Sequence, residues 1–148
     1  MPRSLTNLLI HAIFSTKDRA PVIRPEFQDN LFRYMGGIVR QIGGKALIVG
    51  GTADHVHILL ELPATLAVAD AMRLVKTNSS RWVNRKHARG FAWQAGYGAF
   101  SVSRSNLSAV AKYIAEQQQH HARMDFKQEY SQFLKMHDVV YDERHIRT

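Results

Sequence analysis

The clearest pattern in the chain is an alternation of period two between Ala53 and Leu62, which reads Ala-Asp-His-Val-His-Ile-Leu-Leu-Glu-Leu. A strand sends successive side chains to opposite faces, so Val56, Ile58, Leu60 and Leu62 share one side, while His55, His57, Leu59 and Glu61 share the other. Leu5 to Thr16, with Leu8, Leu9, Ile10, Ile13 and Phe14, predicts an earlier strand that ends at the basic turn Lys17-Asp18-Arg19. From Pro25 the apolar residues Phe27, Leu31, Tyr34, Met35, Ile38, Val39 and Ile42 recur at three and four, the spacing of one helical face, and Gly43-Gly44 ends that helix. Ala46–Val49 predicts a short buried strand, joined through Gly50-Gly51-Thr52 to the His-x-His strand as a hairpin.

Pro63 closes that strand. A second helix is expected from Thr65 to about Asn84, with Val68, Met72, Val75 and Trp82 inside, followed by a long basic and aromatic connection from Arg85 to Gly98. Ala99–Ser103 predicts a fourth strand. Ser105 or Asn106 would cap a third helix whose apolar stripe is Leu107, Val110, Ala111 and Ile114. Beyond the polar run Gln117-Gln118-Gln119-His120-His121 lies an amphipathic segment with Phe126, Tyr130, Phe133 and Leu134. The order strand, helix, strand, strand, helix, strand predicts an α+β fold: a ferredoxin-like βαββαβ sandwich with an antiparallel sheet, two helices on one sheet face and a helix added after the unit. One domain is expected over residues 1–148, with a core of about 5–121 and a C-terminal extension of 122–148.

Composition narrows the chemistry. With no cysteine among 148 residues, disulfides, thiolate metal sites and cysteine nucleophiles are all excluded. The formal charge of +8 favours a polyanionic partner, nucleic acid first. No run approaches the roughly 18 apolar residues of a membrane span. The beginning, Met1-Pro2-Arg3-Ser4, lacks the apolar core of a secretion signal, so a cytoplasmic location without membrane partners is expected.

His55 and His57, one strand repeat apart, can grip a single ion and leave other positions open. On the third helix Tyr113 and Gln117 are four residues apart and share a face. Were that helix end to lie over the histidine face, His55, His57 and Gln117 would form an N,N,O site with Tyr113 one turn away, and a tyrosine beside a metal ion can attack a phosphodiester. The same spacing is met by a Tyr113 that packs and a Gln117 that is solvated. Glu61 is either an exposed strand-end carboxylate or a partner that orients an imidazole, and His120 and His121 read as a solvated helix end. Lys17, Arg19, Lys76, Arg81 and Arg104 are the candidate phosphate contacts, with Trp93 and Tyr97 as residues that either stack on unpaired bases or pack under the loop.

Ala53-Asp54-His55-Val56-His57-Ile58-Leu59 resembles the Pro-Asp-His-Val-His-hydrophobic signature of the single-tyrosine transposases of the HUH (His-hydrophobic-His) superfamily, the insertion-sequence two-hundred / six-hundred-five group. The resemblance extends through Ser15–Pro21, Leu74–Ser80, Trp93–Ser103, Tyr113–Gln117 and Tyr141–Arg144, with Ala53 standing where the family pattern has proline. It implies that His55, His57 and Gln117 bind a divalent ion, Mg²⁺ or Mn²⁺. It also implies that Tyr113 attacks single-stranded DNA bearing hairpin ends, through a 5′-phosphotyrosine, and that the protein acts as a homodimer. Two other readings use the same residues. One is a non-catalytic protein that binds hairpins or single-stranded nucleic acid. The other is a metal-dependent oxygenase or hydrolase in which Glu61 joins His55 and His57 as a ligand.

Overall fold

The computed structural model describes residues 5–117 and 124–139. Four strands, β1 (Leu9–Ser15), β2 (Lys45–Gly51), β3 (His55–Glu61) and β4 (Gly98–Ser101), alternate with helices α1 (Pro25–Gln41) and α2 (Val68–Lys86) in the expected βαββαβ order. Among the described residues two further helices follow, α3 (Leu107–Ala115) and α4 (Phe126–Met136). The sheet is antiparallel in the order β2-β3-β1-β4, so the histidine strand is interior and paired on both edges.

Pairing fixes the two faces. Phe14 lies opposite Val56 and Ala12 opposite Ile58, and this face packs with Leu60 against Phe27, Leu31, Met35 and Val39 of α1 and Met72, Val75 and Val83 of α2. The opposite face carries Ile13, paired with His57, and His11, paired with both Leu59 and Phe100. It is covered from the C-terminal side, where Phe126, Tyr130 and Leu134 of α4 close over Ile13 and Phe100. Apolar side chains thus fill both sides of the sheet, while polar ones are gathered on one side around β3.

Two glycines set how closely the last helices approach. A Cβ on Gly50 of β2 would come within 2.6 Å of the Ile114 carbonyl oxygen of α3. One on Gly98 of β4 would come within 2.6 Å of the Tyr130 ring of α4. Both helices therefore sit almost on the sheet backbone, closer than any side chain larger than hydrogen permits.

Element boundaries differ from expectation where tertiary pairing decides them. The first strand begins at Leu9 instead of Leu5, which is 80% exposed and has no strand beside it. The second helix begins at Val68, three residues late. Asn106 stands at the N-cap position of α3, one of the two expected, but its side chain makes no capping hydrogen bond. A 3-10 turn, Arg104–Asn106, feeds the chain into the helix, and the Ser105 hydroxyl is engaged with that of Ser103 at 3.0 Å. By contrast α4 carries a capping box, the Asp125 side chain accepting from the Gln128 amide and the Gln128 side chain from the Asp125 amide. His120, His121 and Tyr141–Arg144 lie outside the described residues.

Candidate metal centre and nucleophile

Strand alternation delivers His55 and His57 to the same face with ring centroids 5.2 Å apart, both fully buried. Each imidazole is held from behind. Nδ1 of His55 is 2.8 Å from Asp54 Oδ1 and 2.9 Å from Thr52 Oγ1, and Thr52 donates to the same carboxylate oxygen at 3.1 Å. Nδ1 of His57 is 2.8 Å from Nε2 of His11. Burial first, and then the neighbouring His57, hold the His11 pKa down at about 3, so its ring is a neutral partner. Asp54 and His11 thus turn the Nε2 atoms of His55 and His57 toward one point.

At that point oxygen atoms gather. Gln117 Oε1 lies 2.9 Å from His55 Nε2, and the Gln117 amide nitrogen donates back to the Tyr113 carbonyl at 3.3 Å, which fixes which end of the amide faces the histidine. Glu129 Oε1 lies 2.9 Å from His57 Nε2 and 3.6 Å from His55 Nε2. A carboxylate at Nδ1 of His55 places the ring proton there and leaves a lone pair on Nε2. That lone pair faces an amide oxygen, so two acceptors stand 2.9 Å apart, an arrangement that a cation between them makes favourable. Two donors bound about 2.1 Å from one ion at right angles lie roughly 3 Å from each other, the spacing these atoms have. The donor set fits a divalent ion.

His55, His57 and Gln117, expected to converge, do converge within a single chain. The carboxylate beside them is Glu129, which escaped sequence reasoning. The reading that placed Glu61 on the ion is corrected: Glu61 is at the far end of β3, opposite Leu9 and Lys45. It is four residues past His57, about 13 Å at the rise of a strand. Glu129 did leave a trace. It falls three residues after Phe126 and four before Phe133, on the apolar stripe of α4 and not on its polar face. His11 shares the odd-numbered face of β1 with Leu9 and Ile13 and left a comparable trace.

Tyr113 stands over this cluster, its ring 5.8 Å from that of His57, and its hydroxyl donates to Glu129 Oε2. Burial first, and then the Glu129 bond and charge, raise its pKa well above that of an ordinary phenol, while the Gln117 contact works the other way. On its other side Tyr113 opens to a cavity of about 370 Å³ lined by Phe100, Asn106, Val110, Phe133 and His137.

The candidate phosphate contacts scatter. Lys17 and Arg19 occupy a 3-10 turn beyond β1, Arg81 is exposed on α2, and Arg104 is exposed before α3. Lys76 is engaged inside the fold: its ammonium donates to the carbonyls of Gln94 at 2.6 Å and Gly96 at 2.9 Å. Burial lowers its pKa to about 8. Trp93 packs edge-on against Phe14 and Phe91 and donates to Ser79 Oγ at 2.9 Å, so the connection is pinned by its aromatic residue. Gln94 completes the pin, its side chain accepting from the Ser15 amide.

The model of the family described as "Transposase IS200 like" matches residues 4–117, and the chain belongs to that family. Among curated relatives, the ISDra2 transposase TnpA of Deinococcus radiodurans is 28% identical over 114 residues, covering 72% of this chain and 81% of that protein. The transposase for insertion sequence element IS200 of Salmonella typhimurium is 28% identical over 122 residues, covering 75% and 77% respectively. A Deinococcus radiodurans crystal structure at 1.90 Å, assigned as a transposase, superposes with a TM-score of 0.60 at 26% identity, covering 77% of this chain and 93% of that one. A REP-associated tyrosine transposase bound to a REP hairpin gives a TM-score of 0.62 at 13% identity over 82% and 73%, a likeness of fold. No described helix is long and apolar enough to cross a membrane.

Proposed function

We propose that this transposase cleaves and rejoins single-stranded DNA through Tyr113. The phenolic oxygen, giving up its proton, would attack a scissile phosphate, forming a phosphorus–oxygen bond as the bond to the 3′ oxygen breaks and that oxygen takes up a proton, and leave a 5′-phosphotyrosine and a 3′-hydroxyl. Since the covalent link keeps the phosphodiester bond energy, rejoining to a second strand needs no nucleotide cofactor. The observation that carries this reading is the meeting, in one chain, of the His55, His57 and Gln117 donor atoms with the Tyr113 ring.

A divalent ion bound there, Mg²⁺ or Mn²⁺, would polarise the phosphate oxygens and stabilise the charge that develops on them. The chain's own contribution is orientation. Asp54 and Thr52 hold His55, His11 holds His57, and the one-turn spacing ties Gln117 to the backbone of Tyr113. Lys17, Arg19, Arg81 and Arg104 would contact DNA phosphates, and Lys76 would reach one only by leaving its two carbonyls. The REP-bound neighbour supports hairpin DNA as the partner. A homodimer of this protein would pair two self-contained sites, since Tyr113 already lies over its own histidines. Residues 1–148 would act as one domain, with α4 part of its working surface.

The test is denaturing electrophoresis of the protein with a labelled, hairpin-bearing single strand, with and without Mn²⁺. Wild-type protein should yield a covalent adduct only with the metal, and Tyr113→Phe should yield none while still binding the strand. An adduct that persists in that variant removes Tyr113 from the role. Salt-sensitive hairpin binding without an adduct under any divalent ion would leave a binding protein instead.

A further inference from the structure

The IS200-like match ends at residue 117, yet the buried cluster is completed by a side chain beyond it. Glu129 is 1% exposed, and its two oxygens face different partners: Oε1 looks toward the Nε2 atoms of both histidines, and Oε2 accepts from the Tyr113 hydroxyl. A carboxylate taken fully out of water is costly unless a cation or several hydrogen bonds meet it. The Nε2 atoms of His57 and His55 lie 2.9 Å and 3.6 Å from Glu129 Oε1, close enough for one divalent cation to be shared among the three residues and to compensate the buried carboxylate. We infer that Glu129 is the fourth protein ligand of the divalent ion and the positioning residue that aims Tyr113 at it. This rests on the metal-assisted reading above and extends it to α4.

The chemistry of the donors argues the same way. Two imidazoles and an amide oxygen carry no charge and, on ligand type alone, prefer softer ions than Mg²⁺. An anionic carboxylate oxygen shifts the set toward Mg²⁺ and Mn²⁺. An ion held by these four residues would still have room to meet phosphate oxygens of the substrate. The helix that bears Glu129 is anchored for the task. Its start is fixed by the Asp125–Gln128 capping box, and Phe126, Tyr130 and Leu134 hold it on the sheet around the glutamate.

The competing role is that of a placeholder, in which the carboxylate sits where a substrate phosphate belongs and is expelled by DNA. The two roles predict opposite results. Mn²⁺ binding to the full chain without DNA, measured by titration calorimetry or by loss of the free-ion paramagnetic signal, should be tight in wild type and absent in His57→Ala. In Glu129→Gln and Glu129→Ala it should be weakened at least tenfold, with circular dichroism unchanged. Adduct formation in the two Glu129 variants should fall in parallel and recover in part at high Mn²⁺.

Wild-type affinity in both Glu129 variants, with binding lost in His57→Ala, would overturn the assignment and leave the metal reading standing. More adduct from Glu129→Gln than from wild type, at unchanged Mn²⁺ affinity, would overturn it in favour of the placeholder. Failure of wild-type protein to bind Mn²⁺ would overturn the metal reading itself, and the assignment with it.

Discussion

At the scale of single residues, the site depends on which nitrogen of each imidazole carries the proton. For His57 to offer Nε2 as a lone pair, its Nδ1 must be protonated and must donate to His11, whose Nε2 is 2.8 Å away. His11 is able to accept because burial and the neighbouring imidazole keep it neutral. Replacing His11 with leucine removes the acceptor and leaves a buried N–H unsatisfied, a cost of about 1–3 kcal/mol that favours the other tautomer. Mn²⁺ affinity should then fall by roughly ten- to a hundredfold, and His11→Gln, which keeps an acceptor, should restore part of it. Long-range nitrogen–proton spectra of the metal-free protein should place the His57 proton on Nδ1 in wild type and move it to Nε2 in the leucine variant. Unchanged affinity and tautomer in that variant would reduce His11 to a space-filling role. None of this was legible in the sequence beyond the parity of His11 on its strand, because the contact is between strands, 46 residues apart. His55 and His57 were legible because strand geometry alone puts i and i+2 together.

Elements were easier to read than contacts, for the same reason. The period-two face of β3 and the helical stripe of α1 are imposed by burial against one continuous core, so Phe27, Leu31, Met35 and Val39 stand inward as their spacing predicts. The ends of elements depend on partners distant in the chain, which is why β1 starts late, at the first residue that pairs with β3. Glu129 was missed because a carboxylate on an amphipathic helix ordinarily marks its wet side, and here the stripe itself carries the charge into the site. The approach of α3 to the sheet was equally hidden, since Gly50 reads as part of a hairpin turn. Its actual service is to let the Ile114 carbonyl come close to β2. Alanine at 50 would put a methyl carbon 2.6 Å from that oxygen and 2.9 Å from Ile114 Cγ2, and backbone cannot yield as a side chain tip would. The expected response is a shift of α3, which carries Tyr113 immediately before Ile114. Gly50→Ala should therefore reduce covalent adduct by tenfold or more, while thermal unfolding shows the α1–α2 side of the sheet still folding cooperatively. Full adduct yield from Gly50→Ala would mean that the helix position is not critical to the tyrosine.

At the scale of the whole molecule, a net charge of +8 acts before any specific contact is made. Each phosphate neutralised by a lysine or arginine releases condensed counterions, so the logarithm of affinity falls with the logarithm of salt concentration by about 0.7 per contact for a single strand. Arg104 stands exposed at the entrance to α3, and Lys17 is exposed on the turn that follows β1. Lys76 differs because its ammonium is committed to the carbonyls of Gln94 and Gly96, near the Phe14 ring. Titrating a hairpin-bearing strand at several salt concentrations should separate the two kinds of cation. Arg104→Ala and Lys17→Ala should each make the salt dependence shallower by about 0.7, with little change in melting temperature, because exposed charges contribute little to folding. Lys76→Met should leave the slope in place and lower the melting temperature, since the carbonyls of Gln94 and Gly96 lose their shared donor. A reduced slope for Lys76→Met with an unchanged melting temperature would move Lys76 out of the scaffold and onto the DNA. Unchanged slopes for Arg104→Ala and Lys17→Ala would show that the positive field is read by other residues and that the entrance to α3 is not where the strand passes.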